Sequence, residues 1–479
     1  MHKQFLYKLI ERFGTHVSAF VINLILARLI MPEEYGIMSV LNAFIAISQI
    51  LLQGGLNTAL IQKNTADEDD YFSITLVSLS FSALLVIVIM AIAPIVGKLY
   101  GDMSLVAPMR TMALLLIIHA LTSVYNARVV SNMKFKELMR ATLLASITSG
   151  VICIGIAYIG MGIWALVLQQ ILNAFLLTLL LMVQTKWVPK GKFVKSKAKS
   201  LFSFGWKIML TNLITRGYVE LTALVIGKVF SPTTLAYYNR GKQFPQVASD
   251  NIDGALQGVS LPIFAKEPSR NGIVSSLRKF MRISTFFLYP ILVLLAILSK
   301  NIITILLTEK WLPAVPFFIV WCIYYMTVSH TTLFNQAIIG AGESGLALKR
   351  QITCTALNCI FMIGSIIIFH DAFIMLVSML IGRVGVMLIT VKMTSDTFNY
   401  PARRQLGDLA VNIPATLIGA ILTVLVGKFI GNIFIQSVLQ GVTMLTVYLI
   451  VSYFLNKSTL NKALDIIFSF LKKEKKVTN

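Results

Sequence analysis

The sequence predicts an all-α polytopic membrane protein with about fourteen transmembrane helices. Three observations predict it. Of 479 residues, 57% are hydrophobic and 13% are charged, about half the charged share of a soluble chain. The apolar residues gather in runs long enough to cross a bilayer. The basic residues concentrate in alternate connecting segments, as in a chain that threads back and forth.

In order, the spans run 13–31, 37–61, 72–98, 106–129, 139–159, 162–184, 201–229, 233–261, 279–307, 313–340, 347–369, 372–393, 408–429 and 433–455. Segments on the N-terminal side hold thirty of the 42 basic residues. The opposite side holds seven: Arg28, Lys98, Arg110, Lys228, Lys300, Lys310 and Lys428. Five lie within spans: Lys207, Arg216, Arg240, Lys242 and Arg383. Thirty against seven places both termini in the cytoplasm.

The net charge of +22 follows from those loops, which meet anionic lipid. No soluble domain offers a basic face to nucleic acid. Cys153, Cys322, Cys354 and Cys359 lie inside apolar runs without metal-ligand spacing and read as core residues. The five histidines form no ligand motif, and the mid-span His119 and His330 read as buried, hydrogen-bonded side chains. Basic residues precede the first apolar run, but no small-residue cleavage site follows it, so the run reads as a retained helix. Lys186 to Lys199 (KWVPKGKFVKSKAK) reads as a basic linker between two halves. From Leu460 onward, apolar residues at 460, 464, 467 and 471 flanked by lysines predict a helix on the inner surface.

The eighth span is the most polar. Asn239, Gln243, Gln246, Asp250, Asp253 and Gln257 recur at steps of four and three, which places them on one helical face. Charges at membrane depth face a bundle interior or a watery cavity. In the second span Asn42, Gln49, Gln53 and Asn57 share a face. Arg216 and Glu220 sit mid-span in the seventh, one turn apart, as an ion pair would. Pro245, with Gly241, Gly254 and Gly258, is expected to let the eighth span bend.

The first hairpin and the seventh and eighth spans align at an offset of 200. Arg28 falls on Lys228, Pro32 on Pro232 and Gly54 on Gly254. SVYNA at 123–127 echoes TLFNQ at 332–336. Six helices then repeat in parallel, about an axis along the membrane normal. The expected division is a six-helix lobe at 1–185, a linker at 186–200 and a second six-helix lobe at 201–395. Two additional helices (396–456) and a cytoplasmic tail (457–479) follow.

Three stretches carry a resemblance: LARLIMPEEYG (26–36), GGLNTALIQK (54–63), and YYNRGKQFPQ (237–246) with its later LPIF (261–264). They resemble the polysaccharide transporter family, the Wzx-type flippases, and especially its WzxC-like branch. That family shares a superfamily with MATE multidrug exporters and the lipid II flippase. The resemblance implies a central cavity lined by the first, second, seventh and eighth helices and worked by alternating access. The implied cargo is an oligosaccharide on undecaprenyl diphosphate, carried across the bacterial inner membrane for O-antigen, capsule or exopolysaccharide assembly. Membrane lipids, a polysaccharide polymerase and chain-length machinery are the implied partners.

On that reading Arg240, about 12 Å below the outer edge, holds the diphosphate or an acidic sugar. Its alternative is pairing with Asp250, Asp253 or backbone carbonyls to fix the helix. Lys242, two residues on, points the other way. Arg216, Lys242, Asn239, Gln243, Gln49, Gln53 and Asn57 complete the candidate cavity set. Glu220, Asp250 and Asp253 are candidates for coupling to a proton or sodium gradient, or for structural pairing. No Walker A sequence is present, so neither ATP use nor covalent chemistry is expected, and no cofactor. The rival reading is a cation-coupled multidrug exporter of the MATE type, against which the Arg216, Arg240 and Lys242 group argues. A membrane enzyme would carry catalytic residues on sizeable outer loops, and these loops are short.

Overall fold

The computed structural model describes residues 2–53, 60, 67–267, 269–463 and 465. All regular elements among them are helices. Contacts group the chain into two compact units, Met1–Ala236 and Tyr237–Asn479.

The first unit opens with α1 (His2–Leu29) and α2 (Pro32–Gln53). Proline at the first position of α2 has a fixed φ suited to a helix start, and Glu33 and Glu34 face the positive end of the helix dipole. Next comes α3 (Glu68–Tyr100), whose Asp67 and Asp70 satisfy each other's amides as a capping box. It ends at Gly101, in the left-handed region at φ 71. A 3-10 turn (Met103–Leu105) leads into α4 (Val106–Ala113) and α5 (Leu115–Ser131). The unit continues with α6 (Phe135–Tyr158), α7 (Ile163–Thr185) and α8 (Lys195–Val229). Here α6 packs along α1 and α7, α5 lies against α3 and α7, and α2 packs on α8 and α5. One long helix, α9 (Pro232–Lys266), begins in this unit and ends in the next.

The second unit holds α10 (Arg270–Ile297), α11 (Ser299–Leu307), a 3-10 segment (Glu309–Ala314), α12 (Val315–Met326) and α13 (Val328–Gly340). It continues with α14 (Ser344–Phe369), α15 (Ala372–Phe398), α16 (Ala402–Ala410), α17 (Ile413–Lys428) and α18 (Ile433–Leu455). Helix α10 packs on α12, α13 and α17, while α13 contacts both α14 and α15.

Eleven helical segments among the described residues are long and apolar enough to cross a membrane. The other three expected spans fall on α1, α8 and α9. Apolar sequence in α1 runs over Gly14–Leu29. Both α8 and α9 are 35 residues long and carry charge mid-length. Three expected spans are each two helices, broken at Leu114, Leu298 and Thr327.

The repeat has a structural counterpart. α1 ends at Leu29 and α8 at Val229; α2 starts at Pro32 and α9 at Pro232. Arg28 and Lys228 occupy the last turns of α1 and α8, where a cation meets the negative helix end. Each unit also contains a 3-10 segment, a helix, a break and a second helix in that order.

The expected linker makes specific contacts, and one expectation for α9 changes. The Lys192 amide donates to Asp69 Oδ1 at 2.8 Å and the Val194 amide to Ser73 Oγ at 3.0 Å. Gly191 lies so close to the Glu68 carbonyl that a Cβ would sit 2.4 Å from its oxygen. The linker is thus strapped across the start of α3. Gly241 does not loosen α9: a Cβ there would sit 2.7 Å from the Phe318 amide nitrogen, so it permits close packing. Helix α9 runs unbroken through Pro245. Most of the tail lies outside the described residues, but Leu460 and Ala463 are buried with Phe286, Ala415 and Tyr448.

Candidate functional site

The candidate site grows from α9. Arg240 is 7% exposed. Its Nη1 donates to Gln243 Oε1 at 2.7 Å, one helical turn on. Its guanidinium carbon lies 5.1 Å from the centroid of the buried Trp311 ring. Lys242 Nζ lies 5.2 Å from the centroid of Trp321. Cation–π contacts of this kind contribute about 1–2 kcal/mol when desolvated. Trp311 comes from the 3-10 segment that precedes α12 and Trp321 from α12 itself, and Gly241 between the two cations lets α9 approach α12. Trp321 in turn packs edge-on to Tyr238 and Tyr324 at 5.3 and 4.8 Å.

Further along α9 the polar stripe divides. Asn239, Gln243 and Gln246 are half-buried, while Asp250 is exposed. Asp253 is 6% exposed and accepts from Ser249 Oγ at 3.2 Å and from Ser329 Oγ of α13. Gln257 Oε1 accepts from Gln336 Nε2 of α13 at 3.3 Å.

Sequence reading missed how much α13 gathers. Thr331 accepts from Arg383 of α15, whose guanidinium lies 5.6 Å from the Tyr324 ring centroid. Asn335 Oδ1 accepts from Arg350 Nε of α14 at 3.2 Å. Tyr289 OH and His330 Nε2 are hydrogen-bonded at 2.8 Å, as expected of a buried histidine. Arg350, counted by position among the inner-face cations, is buried. The signal available was the TLFNQ echo, whose asparagine is Asn335.

The remaining candidates lie in the first unit. Asn42 Oδ1 accepts from Gln170 Nε2 of α7 at 2.9 Å. Gln49 and Glu220 are half-buried, and Arg216 is exposed. Gln53 closes α2, and Asn57 lies outside the described residues.

Polar clusters also hold each unit together. In the first, Glu68 accepts from Arg128 at 3.2 Å and from Trp187 Nε1 at 2.9 Å. Lys197 pairs with Asp67 and Asp69. Its hydrogen bond holds the Asp67 carboxyl down to about 2, and that pairing raises Lys197 in turn. In the second, Asp408 is buried between Arg278, at 2.7 Å, and Arg282, and also accepts from Tyr400.

A sequence profile of polysaccharide biosynthesis proteins matches residues 25–316, more than half of the chain. The chain belongs to this family. Teichuronic acid biosynthesis protein TuaB of Bacillus subtilis is similar at 26% identity over 276 residues, 56% of this chain and 56% of TuaB. The chain thus spans little more than half of that relative. Succinoglycan biosynthesis transport protein ExoT of Rhizobium meliloti is 21% identical over 73% of this chain and 72% of its own. Lipopolysaccharide biosynthesis protein WzxC of Escherichia coli is 18% identical over 70% of this chain and 68% of its own. Among solved structures, the lipid II flippase MurJ in an inward closed conformation superposes with a TM-score of 0.75 at 15% identity. That match covers 94% of this chain and 98% of MurJ. An inward-facing multidrug resistance MATE transporter of the MOP superfamily gives 0.61 at 12%, covering 82% and 98%. The family member therefore shares the fold of MurJ and of the MATE transporter, and a succinoglycan biosynthesis transport protein is among its relatives.

Proposed function

We propose that this family member is a flippase for lipid-linked oligosaccharide repeat units. The observation that carries the reading is a pair of cations, Arg240 and Lys242, held by tryptophans along a helix of a polysaccharide-family chain with the MOP fold. A diphosphate headgroup crossing hydrocarbon needs positive charge on its path, and arginine can grip phosphate oxygens bidentately. The cargo is an oligosaccharide on undecaprenyl diphosphate, moved to the outer leaflet of the bacterial inner membrane. Two lobes alternate access to a cationic path that includes Arg240 and Lys242. Both termini are cytoplasmic, the chain crosses the membrane fourteen times, and a proton or sodium gradient rather than ATP supplies the energy. The protein moves its cargo without chemical change and hands it to a polymerase and chain-length machinery.

The MATE likeness supports a rival reading, export of small drugs. Many such drugs are cationic, and fixed positive charge in the pocket would repel them. The full-length protein, purified from its native membrane, separates the two by mass spectrometry of its bound lipids. Enrichment of undecaprenyl diphosphate-linked glycan supports the flippase. Its absence, with binding of cationic dyes instead, supports the exporter.

A further inference from the structure

Two arginines in the second unit lie outside the cation pair of α9. Arg350 of α14 is 6% exposed, and Arg383 of α15 is half-buried. Among the described residues neither is in an ion pair; their side-chain partners are neutral, Asn335 and Thr331. The Nε of Arg383 is buried and has no hydrogen-bond partner. Asp253 meets the Arg383 charge from beyond ion-pair distance, its own carboxylate engaged by Ser249 and Ser329.

The two partners fix the geometry. Thr331 and Asn335 are four residues apart on α13, so they share a face and are separated by about 6 Å along the axis. One turn of α13 therefore holds two guanidinium groups, one from each flanking helix. The Tyr324 ring lies against the Arg383 guanidinium. Asn335 accepts from Arg350 through Oδ1, which leaves its amide group as a further donor. Tyr324, Asn335 and Gln336 are half-buried rather than sealed, so this face is not closed off. Cations at membrane depth that form no ion pair are costly, and membrane proteins place them where function needs them.

We propose that Arg350 and Arg383 form an oxyanion site on α13, separate from the Arg240 region. Its ligand is a phosphate or carboxylate group, gripped by the two guanidinium groups and the Asn335 amide. That the anion belongs to transported cargo rests on the flippase reading; the site itself does not.

The test uses the full chain in nanodiscs of neutral lipid. Three probes are titrated by calorimetry: inorganic pyrophosphate, farnesyl diphosphate and glucuronate. The wild type binds at least one. Arg350→Gln and Arg383→Gln each weaken that binding about tenfold or more, and Lys300→Gln, an exposed control, leaves it unchanged. Arg350→Lys and Arg383→Lys keep the charge, so they fold where the glutamine variants fail, and they weaken binding less. Preference for farnesyl diphosphate over pyrophosphate assigns the site to a lipid-borne headgroup, the reverse to a free anion, and preference for glucuronate to an acidic sugar. Binding of none of the three by folded wild type overturns the site, as does equal binding by all variants. Binding by a protein that fails to transport keeps the site and removes the flippase reading. Normal transport with no anion binding does the reverse.

Discussion

Glu34 caps a helix that lies 129 positions along the chain. Its Oε1 accepts from the Ile163 amide, the first residue of α7, at 3.0 Å. Its Oε2 accepts from the Met31 amide at 3.3 Å. Gly162, at φ 51, leaves the space: a Cβ there would fall 1.9 Å from the same carboxylate oxygen. One side chain thus ties the α1–α2 turn to the positive end of another helix. Glu34→Ala should lower stability by about 1–2 kcal/mol, with Glu34→Gln losing less. The unfolding midpoint in nanodiscs measures this, and an unchanged midpoint for Glu34→Ala would count against the cap.

Two glycines of α9 should respond oppositely to the same substitution. A Cβ at Gly241 meets the Phe318 backbone at 2.7 Å, whereas one at Gly254 meets nothing within 4 Å. Gly241→Ala should cost about 1–3 kcal/mol through overpacking. Gly254→Ala should be neutral or stabilise by up to about 1 kcal/mol. Equal unfolding midpoints for the two variants would contradict the packing of α9 on α12.

Asp408 anchors α16 to α10 through Arg278 and Arg282. The carboxylate is buried, but the arginines are 44% and 35% exposed, so water shares their charge. Asp408→Asn should cost about 2 kcal/mol, below the range for a fully buried pair. Limited proteolysis should then cut faster near residues 399–412. Unchanged cleavage would show that the carboxylate does not hold these helices.

The strap over α3 should be pH- and salt-sensitive in a defined direction. Asp67 is held down to about 2 from its ordinary 3.8 by the Lys197 hydrogen bond. A depressed carboxyl contributes stability above its unfolded value, and that contribution is lost as pH falls through the folded one. The strap therefore holds from neutral pH to about 4 and loosens from there toward 2. At the alkaline end it holds up to the ordinary lysine value and is lost as pH rises through the raised Lys197 value. Asp67 is exposed and Lys197 half-buried, so high salt weakens the pair at neutral pH. Hydrogen exchange at the Lys192 and Val194 amides reads the strap directly. Exchange that ignores both salt and Lys197→Gln would exclude the clasp.

Arg240→Ala should reduce transport about tenfold or more if the guanidinium grips cargo. Arg240→Lys, which keeps charge but loses the fork, should retain part of the rate. A transport assay in cells complemented with each variant gives the comparison. A wild-type rate for Arg240→Ala would restrict the residue to packing against Trp311.

The sequence made the membrane class and the polarity of α9 legible, because each is a local pattern. Asp253 was visible as a charge at membrane depth; its serine partner on α13 was not, because Ser329 lies 76 positions away. The cap that Glu34 makes on α7 depends on a contact no local window contains. Position along a span does not reveal that Arg350 is buried and bonded to Asn335. The breaks at Leu114, Leu298 and Thr327 carry neither proline nor glycine to announce them. Candidates in the first unit were legible as residue types, while their surroundings, such as Gln170 against Asn42, come from packing.

The most direct measurement asks on which side of the inner membrane the lipid-linked oligosaccharide lies when the protein is absent. The gene is deleted in its host, and spheroplasts are treated with a membrane-impermeant glycosidase or lectin. The flippase account predicts completed repeat units that accumulate out of reach, with surface polysaccharide lost and both restored by the wild-type gene. Repeat units that stay accessible, with normal surface polysaccharide in a host without a second flippase, would contradict it.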